Sequence, residues 1–113
     1  MRFVKKTTKD RSLYRAQITK LAKRKLSNPR EDYFRNLCLL KGLRAIHQGW
    51  PDFLVLDSAG NFKGFVEIKP QGKKGKLRFS QTLFRRICKL YRIPYFVWSE
   101  EKDIPPEFLR QKG

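Results

Sequence analysis

The stretch that most constrains the fold of this chain is residues 49–69, "GWPDFLVLDSAGNFKGFVEIK". Two apolar runs, "DFLVL" and "GFVEIK", lie on either side of "DSAGN", a cluster of turn-forming residues that is typical of a β-hairpin. An antiparallel hairpin folded at this turn brings Asp52, at the start of one strand, beside Glu67, near the end of the other. The hairpin therefore carries two acidic side chains together at its turn-distal end.

Patterns before and after the hairpin predict helices and further strands. "SLYRAQITKLAKRKL" has apolar residues at helical spacing among basic ones, which predicts a basic amphipathic helix over residues 12–26. A second helix is predicted to start at Pro29, with Asn28 as its N-cap, and to end at Gly42 in a left-handed conformation. Its predicted apolar face consists of Tyr33, Phe34, Leu37, Cys38 and Leu40.

The strand-like runs "LRAIH" and "PYFVW" flank the hairpin and a third predicted helix, "SQTLFRRICKLYR". The residues of that helix predicted to face the core are Leu83, Phe84, Ile87 and Leu90. The resulting order, α-α-β-β-β-α-β, predicts an α/β fold in which a mixed sheet of about four strands is flanked by helices.

Length and cysteine content limit the organisation further. A chain of 113 residues with 40% hydrophobic residues is long enough for one core and too short for two, so we expect a single domain over residues 1–113. The two cysteines, Cys38 and Cys88, form no CxxC pair and lie in helix-like stretches. They are predicted to be buried free thiols of a reducing compartment, and a zinc site is not expected.

The charge of the chain is strongly basic: 27 Lys and Arg residues against 10 acidic ones give a formal net charge of +17. A field of this size favours a polyanionic partner, and nucleic acid is the usual one. Residues 1–30 hold eleven of the basic residues and one acid, which predicts a basic N-terminal helical extension. No apolar run is long enough to span a bilayer and no signal-peptide pattern opens the chain, so we expect an intracellular protein of the cytoplasm or nucleoid without a membrane partner.

The acidic end of the hairpin has the composition of a metal site. Two bare carboxylates would repel each other there, and a divalent cation such as Mg²⁺, which takes oxygen ligands and keeps several waters, resolves the conflict. Strand alternation places Glu67 and Lys69 on one face and Ile68 on the other. Phosphodiester hydrolysis requires a metal ion that activates water and a positive charge beside the anion that develops in the transition state. The Lys69 ammonium can supply that positive charge.

The same residues resemble the signature of the PD-(D/E)XK nuclease superfamily: "PD" at 51–52, fourteen residues, then "EIK" at 67–69. The longer stretch "GWPDFLVL…GFVEIKPQGKKGKLRFSQTLF" is similar to the VRR-NUC branch, in which a G-x-P-D strand, a hairpin, an E-x-K strand and a Gln-bearing helix follow in this order. The resemblance covers residues 31–99 and implies a restriction-endonuclease-like catalytic core over that range.

By this resemblance, Asp52 and Glu67 are metal ligands, assisted by the backbone carbonyl of Ile68. Lys69 orients the nucleophilic water or stabilises the transition state. Gln81, at the start of the following helix, helps to hold the site. The cofactor implied is Mg²⁺, for which Mn²⁺ substitutes.

Two further residues have alternative interpretations. Glu31 matches the acid that the family places on the helix before the sheet, and there it is both a metal ligand and a catalytic residue. Asn28-x-x-Glu31 also fits a capping box, in which the Glu31 carboxylate bonds back to the backbone of the cap. His47, the single histidine, is predicted to be a strand residue that faces solvent.

Two basic clusters are predicted to contact nucleic-acid phosphates. They are Lys73, Lys74, Lys76 and Arg78 after the hairpin, and Lys20, Lys23, Arg24 and Lys25 in the N-terminal extension. The function expected from the resemblance is that of a stand-alone, metal-dependent endonuclease for branched DNA, such as a Holliday junction resolvase. Such an enzyme makes two symmetric cuts, so a two-fold homodimer is expected. The alternative is a non-catalytic nucleic-acid-binding protein whose acids are structural.

Overall fold

A computed structural model of the chain describes residues 8–70 and 77–110. The elements, in chain order, are α1 (Thr8–Ala22), α2 (Pro29–Leu40), β1 (Leu43–His47), β2 (Phe53–Asp57), β3 (Phe62–Ile68), α3 (Phe79–Leu90), β4 (Tyr95–Trp98) and a 3₁₀ turn (Pro106–Leu109). The predicted α/β class, with a four-stranded mixed sheet flanked by helices, is confirmed.

The sheet has the strand order β1-β2-β3-β4. The first three strands form an antiparallel meander, and β4 runs parallel to β3 after the chain crosses over through α3. Asp57 fixes the hairpin turn, because its Oδ1 accepts hydrogen bonds from the backbone N–H groups of Ala59 and Asn61, each at 2.9 Å. The strands predicted at 52–56 and 64–69 are thus confirmed as hairpin neighbours, with small shifts of their bounds.

Helices cover both faces of the sheet. On one face, the Phe34 ring of α2 lies 5.1 Å from Phe53 and 5.0 Å from Trp98. On the other, the Phe84 ring of α3 lies 5.7 Å from Phe65 and 5.5 Å from Tyr95. The core on the α2 side comprises Phe34, Cys38, Leu43, Ala45, Phe53, Val55, Val66, Ile68, Trp98, Ile104 and Phe108. The turn-distal end of the hairpin therefore lies between two helical layers.

Helix α2 follows the predicted capping at both ends. The Asn28 side chain accepts hydrogen bonds from the N–H groups of Arg30 and Glu31, and Gly42 has a φ of +78°. The predicted apolar face was wrong for Tyr33 and Leu40, whose side chains are 53% and 83% exposed. The face in contact with the sheet is narrow, because Phe34 and Cys38 lie one helical turn apart and Leu40 points away from that row.

Helix α1 spans Thr8–Ala22 and not residues 12–26 as predicted. Its end is set by residues of α2. In a longer helix the Leu26 N–H would donate to the Ala22 carbonyl, but it donates to Asp32 Oδ1 at 3.1 Å, and Arg35 Nη1 donates to the Ala22 carbonyl at 2.8 Å. Tertiary hydrogen bonds thus replace the next turn of the helix.

The side chains of α3 that face the sheet differ from those predicted. Gln81 and Cys88 are buried and Phe84 is partly buried, at the spacing of one helical face. Leu83, Ile87 and Leu90 were predicted to face inward, and this was wrong, because the apolar arc of α3 is wider than its contact with the sheet. The α3 apolar stripe, exposed along the helix, consists of Phe79, Leu83, Ile87 and Leu90.

Two smaller predictions concern cysteines and membranes. Cys38 and Cys88 are free and buried, as predicted, and burial raises the pKa of both thiols. Within residues 8–70 and 77–110, no helix has the length and apolar character needed to cross a membrane.

Candidate functional site

The two predicted acids meet at the turn-distal end of the hairpin. Asp52 immediately precedes β2, and its Oδ2 accepts a hydrogen bond from the Ile68 N–H at 2.8 Å. The Asp52 N–H in turn donates to Glu67 Oε2 at 3.3 Å. These reciprocal bonds between side chain and backbone hold the two carboxyl groups beside each other, which is the juxtaposition that the sequence predicts.

Gln81 connects this acidic pair to α3. Its Nε2 donates to Glu67 Oε1 at 2.6 Å, and its Oε1 accepts from the Arg78 N–H at 2.8 Å. The side chain is buried and has both polar ends bonded, so its position is fixed. Gln81 therefore orients the Glu67 carboxyl and also satisfies a backbone donor at the first turn of the helix.

Burial raises the pKa of Glu67 to about 7, and the charge of Asp52 acts in the same direction. The Asp52 N–H and the positive charge of Lys69 act in the opposite direction. Glu67 is 3% exposed, and with a pKa of about 7 its carboxyl group is about half protonated at neutral pH. A divalent cation beside the Glu67 oxygens would favour the charged form of that carboxyl group.

This raised pKa predicts how stability depends on pH. The folded-state pKa of about 7 exceeds the ordinary value of 4.5, so folding favours protonated Glu67. Protonated Glu67 makes its full contribution to the free energy of unfolding below about pH 4.5. This contribution is lost as the pH rises through 7, by at most about 3 kcal/mol. Urea denaturation with EDTA should therefore show wild type losing stability relative to Glu67→Gln across this window. Parallel pH profiles of the two proteins would contradict the raised pKa.

Lys69 lies directly after β3. Its N–H donates to the Trp98 carbonyl at 2.8 Å, which extends the pairing of β3 with β4 by one residue. Its positive charge lowers the pKa of Glu67, so an ammonium group accompanies the two acids as predicted. Ile68 belongs to the core and contributes its N–H to Asp52.

Glu31 and His47 join the site from the α2 side of the sheet. His47 Nε2 lies 2.6 Å from Glu31 Oε2, and one ligand atom each from Glu31, His47 and Asp52 lie within 4.8 Å of one another. His47 is the last residue of β1 and is exposed, as predicted, and its ring also contacts Glu31. Among the described residues, only the Asn28 half of the alternative capping box is present, and the Glu31 carboxylate contacts His47 instead.

The sequence did contain a signal for His47. Pairing of "LRAIH" with "DFLVL" in antiparallel register places His47 opposite Phe53, the residue after Asp52. This signal places His47 beside Asp52 only when β2 is known to be the neighbour of β1 in the sheet. Asp52 thus belongs to two groups of possible metal-ligating side chains. One group includes Glu31 and His47, and the other includes Glu67.

The predicted phosphate-binding residues have different positions. Lys20 lies in the last turn of α1, and Lys23 lies just after that helix. Arg24 and Lys25 line a cleft of about 350 Å³ that reaches His47. Arg78 is exposed and is the N-cap of α3. Lys73, Lys74 and Lys76 lie outside the described residues.

No family model, curated protein or solved structure matches this chain. The similarity to PD-(D/E)XK nucleases therefore rests on the quoted residues alone and stays a prediction.

Proposed function

We propose that the protein is a metal-dependent endonuclease that hydrolyses DNA phosphodiesters, with branched DNA such as four-way junctions as its substrate. The observation that carries the proposal is the convergence of Asp52, Glu67 and Gln81 at one end of the hairpin. A carboxyl pair in which Glu67 is buried and Asp52 partly buried, with Gln81 orienting Glu67 and Lys69 nearby, has the composition that the PD-(D/E)XK resemblance implies. The order of elements, with a Gln-bearing helix after the strand that carries Glu67, supports the implied restriction-endonuclease-like core.

Each residue of the site would have a distinct role in hydrolysis. Asp52 and Glu67 are the acids that would hold Mg²⁺, and Gln81 keeps Glu67 in position. When bound, the metal ion supplies Lewis-acid stabilisation of phosphate charge and lowers the pKa of water. Lys69 offers positive charge for the anion that develops as the phosphodiester is cleaved.

The charge distribution supports DNA as the substrate. The cleft lined by Arg24 and Lys25 is also lined by His47, which contacts Glu31. Arg78 lies on the α3 side, three residues before Gln81. Basic side chains on both sides of the acids would attract and position a phosphate backbone through contacts that do not read sequence.

A non-catalytic nucleic-acid-binding protein is the alternative function, and the net charge of +17 suits it equally well. The paired acids Asp52 and Glu67 do not suit it, because a carboxylate beside a phosphate weakens binding. Burial of Glu67 also costs free energy that a simple binding surface has no need to expend.

Cleavage assays separate the two functions. Supercoiled plasmid and synthetic duplex, flap and four-way DNA should be incubated with Mg²⁺, with Mn²⁺ or with EDTA. Cuts that appear only with metal, and with a preference for the four-way substrate, support the proposal. Retention of all these DNAs without cleavage in any metal would support the binding protein instead.

Symmetric cleavage of a four-way junction needs two sites, so we propose that the enzyme acts as a homodimer. The α3 apolar stripe offers exposed apolar area of the kind found at the centre of interfaces. Its flanks carry Arg85, Arg86 and Lys89 and no acid. A dimer formed through this surface would bring like charges together.

The dimer has a testable salt dependence. Replacing Leu83 and Ile87 by Glu should weaken association by at least about 30-fold, the effect of losing about 2 kcal/mol at an interface. Association of the wild type should strengthen with salt, since screening reduces repulsion between the basic flanks. Sedimentation equilibrium measures both effects. Leu40→Glu with Leu109→Glu is the matched control at exposed leucines elsewhere, and a monomeric wild type would refute the dimer.

A further inference from the structure

We infer that His47, with Glu31 and Asp52, forms a mixed nitrogen and oxygen site that binds Zn²⁺-class transition metal ions more tightly than Mg²⁺. The ligand atoms of the three side chains already lie within 4.8 Å of one another. Ligands of one ion at bond lengths of about 2.0–2.2 Å are separated by roughly 3–3.5 Å. Small movements would complete the site: Glu31 Oε2 and His47 Nε2, now 2.6 Å apart, would separate slightly, and any pair of atoms near 4.8 Å would come closer.

The three ligands come from separate elements that the fold holds in place. Glu31 lies in the first turn of α2, His47 ends β1 and Asp52 precedes β2. The His47 ring has its orientation set on one side by an edge contact with Phe53, with centroids 5.4 Å apart, and on the other by Glu31. Asp52 is fixed by its bond from the Ile68 N–H. Such outer contacts are what orients the ligands of protein metal sites.

The site is also reachable from solvent. The His47 side chain is 36% exposed, and the cleft of about 350 Å³ that contains Arg24 and Lys25 opens onto it. At present His47 Nε2 and Glu31 Oε2 are 2.6 Å apart, as in a hydrogen bond. A bound metal ion would replace this direct contact, because both atoms would then direct lone pairs at the same ion.

The choice of ion follows from the donors. Carboxylate oxygens suit Mg²⁺ and Ca²⁺, whereas an imidazole nitrogen shifts preference towards the later divalent ions, with Zn²⁺ well above Mn²⁺. Two carboxylates and one imidazole leave a further position for water, as in catalytic zinc sites. This inference rests on the geometry of Glu31, His47 and Asp52, and it goes beyond the proposed nuclease by assigning a second ion site that shares Asp52 with the Asp52–Glu67 pair.

The test uses metal binding to the full chain, stripped of metal with chelator. Calorimetric titration with Zn²⁺ and with Mg²⁺ gives the two affinities, and the imidazole NMR signals report directly on His47, the one histidine in the sequence. Wild type should bind one Zn²⁺ at least about tenfold more tightly than Mg²⁺, with a shift of the imidazole signals. His47→Ala should lose at least about tenfold in Zn²⁺ affinity, since even outer-shell partners contribute about 10–100-fold, and Mg²⁺ affinity should change little.

Two further variants complete the design. Glu31→Gln removes a different ligand and should also weaken Zn²⁺ binding, while Gln48→Ala, at the exposed residue beside His47, should leave both affinities unchanged. Zn²⁺ binding that leaves the imidazole signals unmoved, or that is equal in His47→Ala and wild type, would overturn the inference. A failure to cleave DNA would count against the nuclease alone, because these readouts need no DNA and no turnover.

Discussion

Replacing Asp52 by Asn should reduce metal-dependent cleavage of DNA by about 10²–10³-fold, the usual effect of removing one charge-stabilising group from an active site. The substitution removes the negative charge that a metal requires. It keeps an amide oxygen in a position to accept the hydrogen bond from the Ile68 N–H. The end of β3 therefore stays attached to the start of β2, and neither folding nor DNA affinity should change appreciably.

The chain offers a matched control within the same strand. Asp57→Asn makes the same chemical change at the other end of β2, where Asp57 stabilises the hairpin turn. This variant should lose about 1 kcal/mol of free energy of unfolding, because the turn loses charge-assisted hydrogen bonds. Its rate of cleavage should be nearly unchanged. Single-turnover rates, thermal denaturation and DNA retention measured on both variants separate the two roles.

Glu67→Gln and Lys69→Ala extend the comparison to the other two members of the signature. Each should abolish most cleavage, because one removes a proposed metal ligand and the other removes positive charge beside it. If DNA affinity or stability were lost in step with cleavage in all three variants, these residues would be structural. The nuclease proposal would then lose its main support.

The hairpin was predictable because its determinants are local. "DSAGN" contains the Asp57 that caps the turn and the Asn61 whose N–H it holds, and the apolar runs on either side fix the pairing. The start of α2 was predictable for the same reason, since Asn28 and Pro29 act within one helical turn. Asp52 and Glu67 follow from the hairpin without further information.

The parts that were not predictable depend on contacts between distant residues. The end of α1 is set by Asp32 and Arg35, which take the hydrogen bonds that another turn would use. Periodicity gives an apolar arc for α3 but not which part of it the sheet covers, so Leu83 and Ile87 were assigned to the wrong side. His47 needed the pairing of β1 with β2 before its place beside Asp52 could be seen.

Reversing the charge of Lys23, Arg24 and Lys25 to Glu should weaken DNA binding by orders of magnitude at moderate salt. A protein that contacts six or more phosphates loses about 10³-fold or more in affinity between 50 and 200 mM salt, because counterions are released on binding. Removing three such contacts should lower the log–log salt slope by about 2–3. Cleavage at low salt should persist, since none of the three side chains belongs to the acidic pair.

Charge reversal is a sharper experiment here than removal of residues 1–26. Ile18 and Ala22 are buried, and the Ala22 carbonyl accepts from Arg35, so deleting α1 would expose the core and confuse instability with lost contacts. The three reversed side chains are exposed and lie beyond the helix. Their substitution should therefore leave the fold intact.

The control is a second basic group at the opposite end of the hairpin. Lys41, Lys63 and Arg110 line a cleft beside the Asp57 turn, and reversing them lowers the net charge of +17 by the same amount. If the overall positive charge of the protein alone attracts DNA, both triple variants should show the same decrease in the slope of log affinity against log salt concentration. If the cleft lined by Arg24, Lys25 and His47 guides the phosphate backbone to the acids, only the first variant should show a smaller salt slope. An unchanged slope in the first variant would mean that this end of α1 faces away from the DNA, and that Lys73, Lys74 and Lys76 carry the contact.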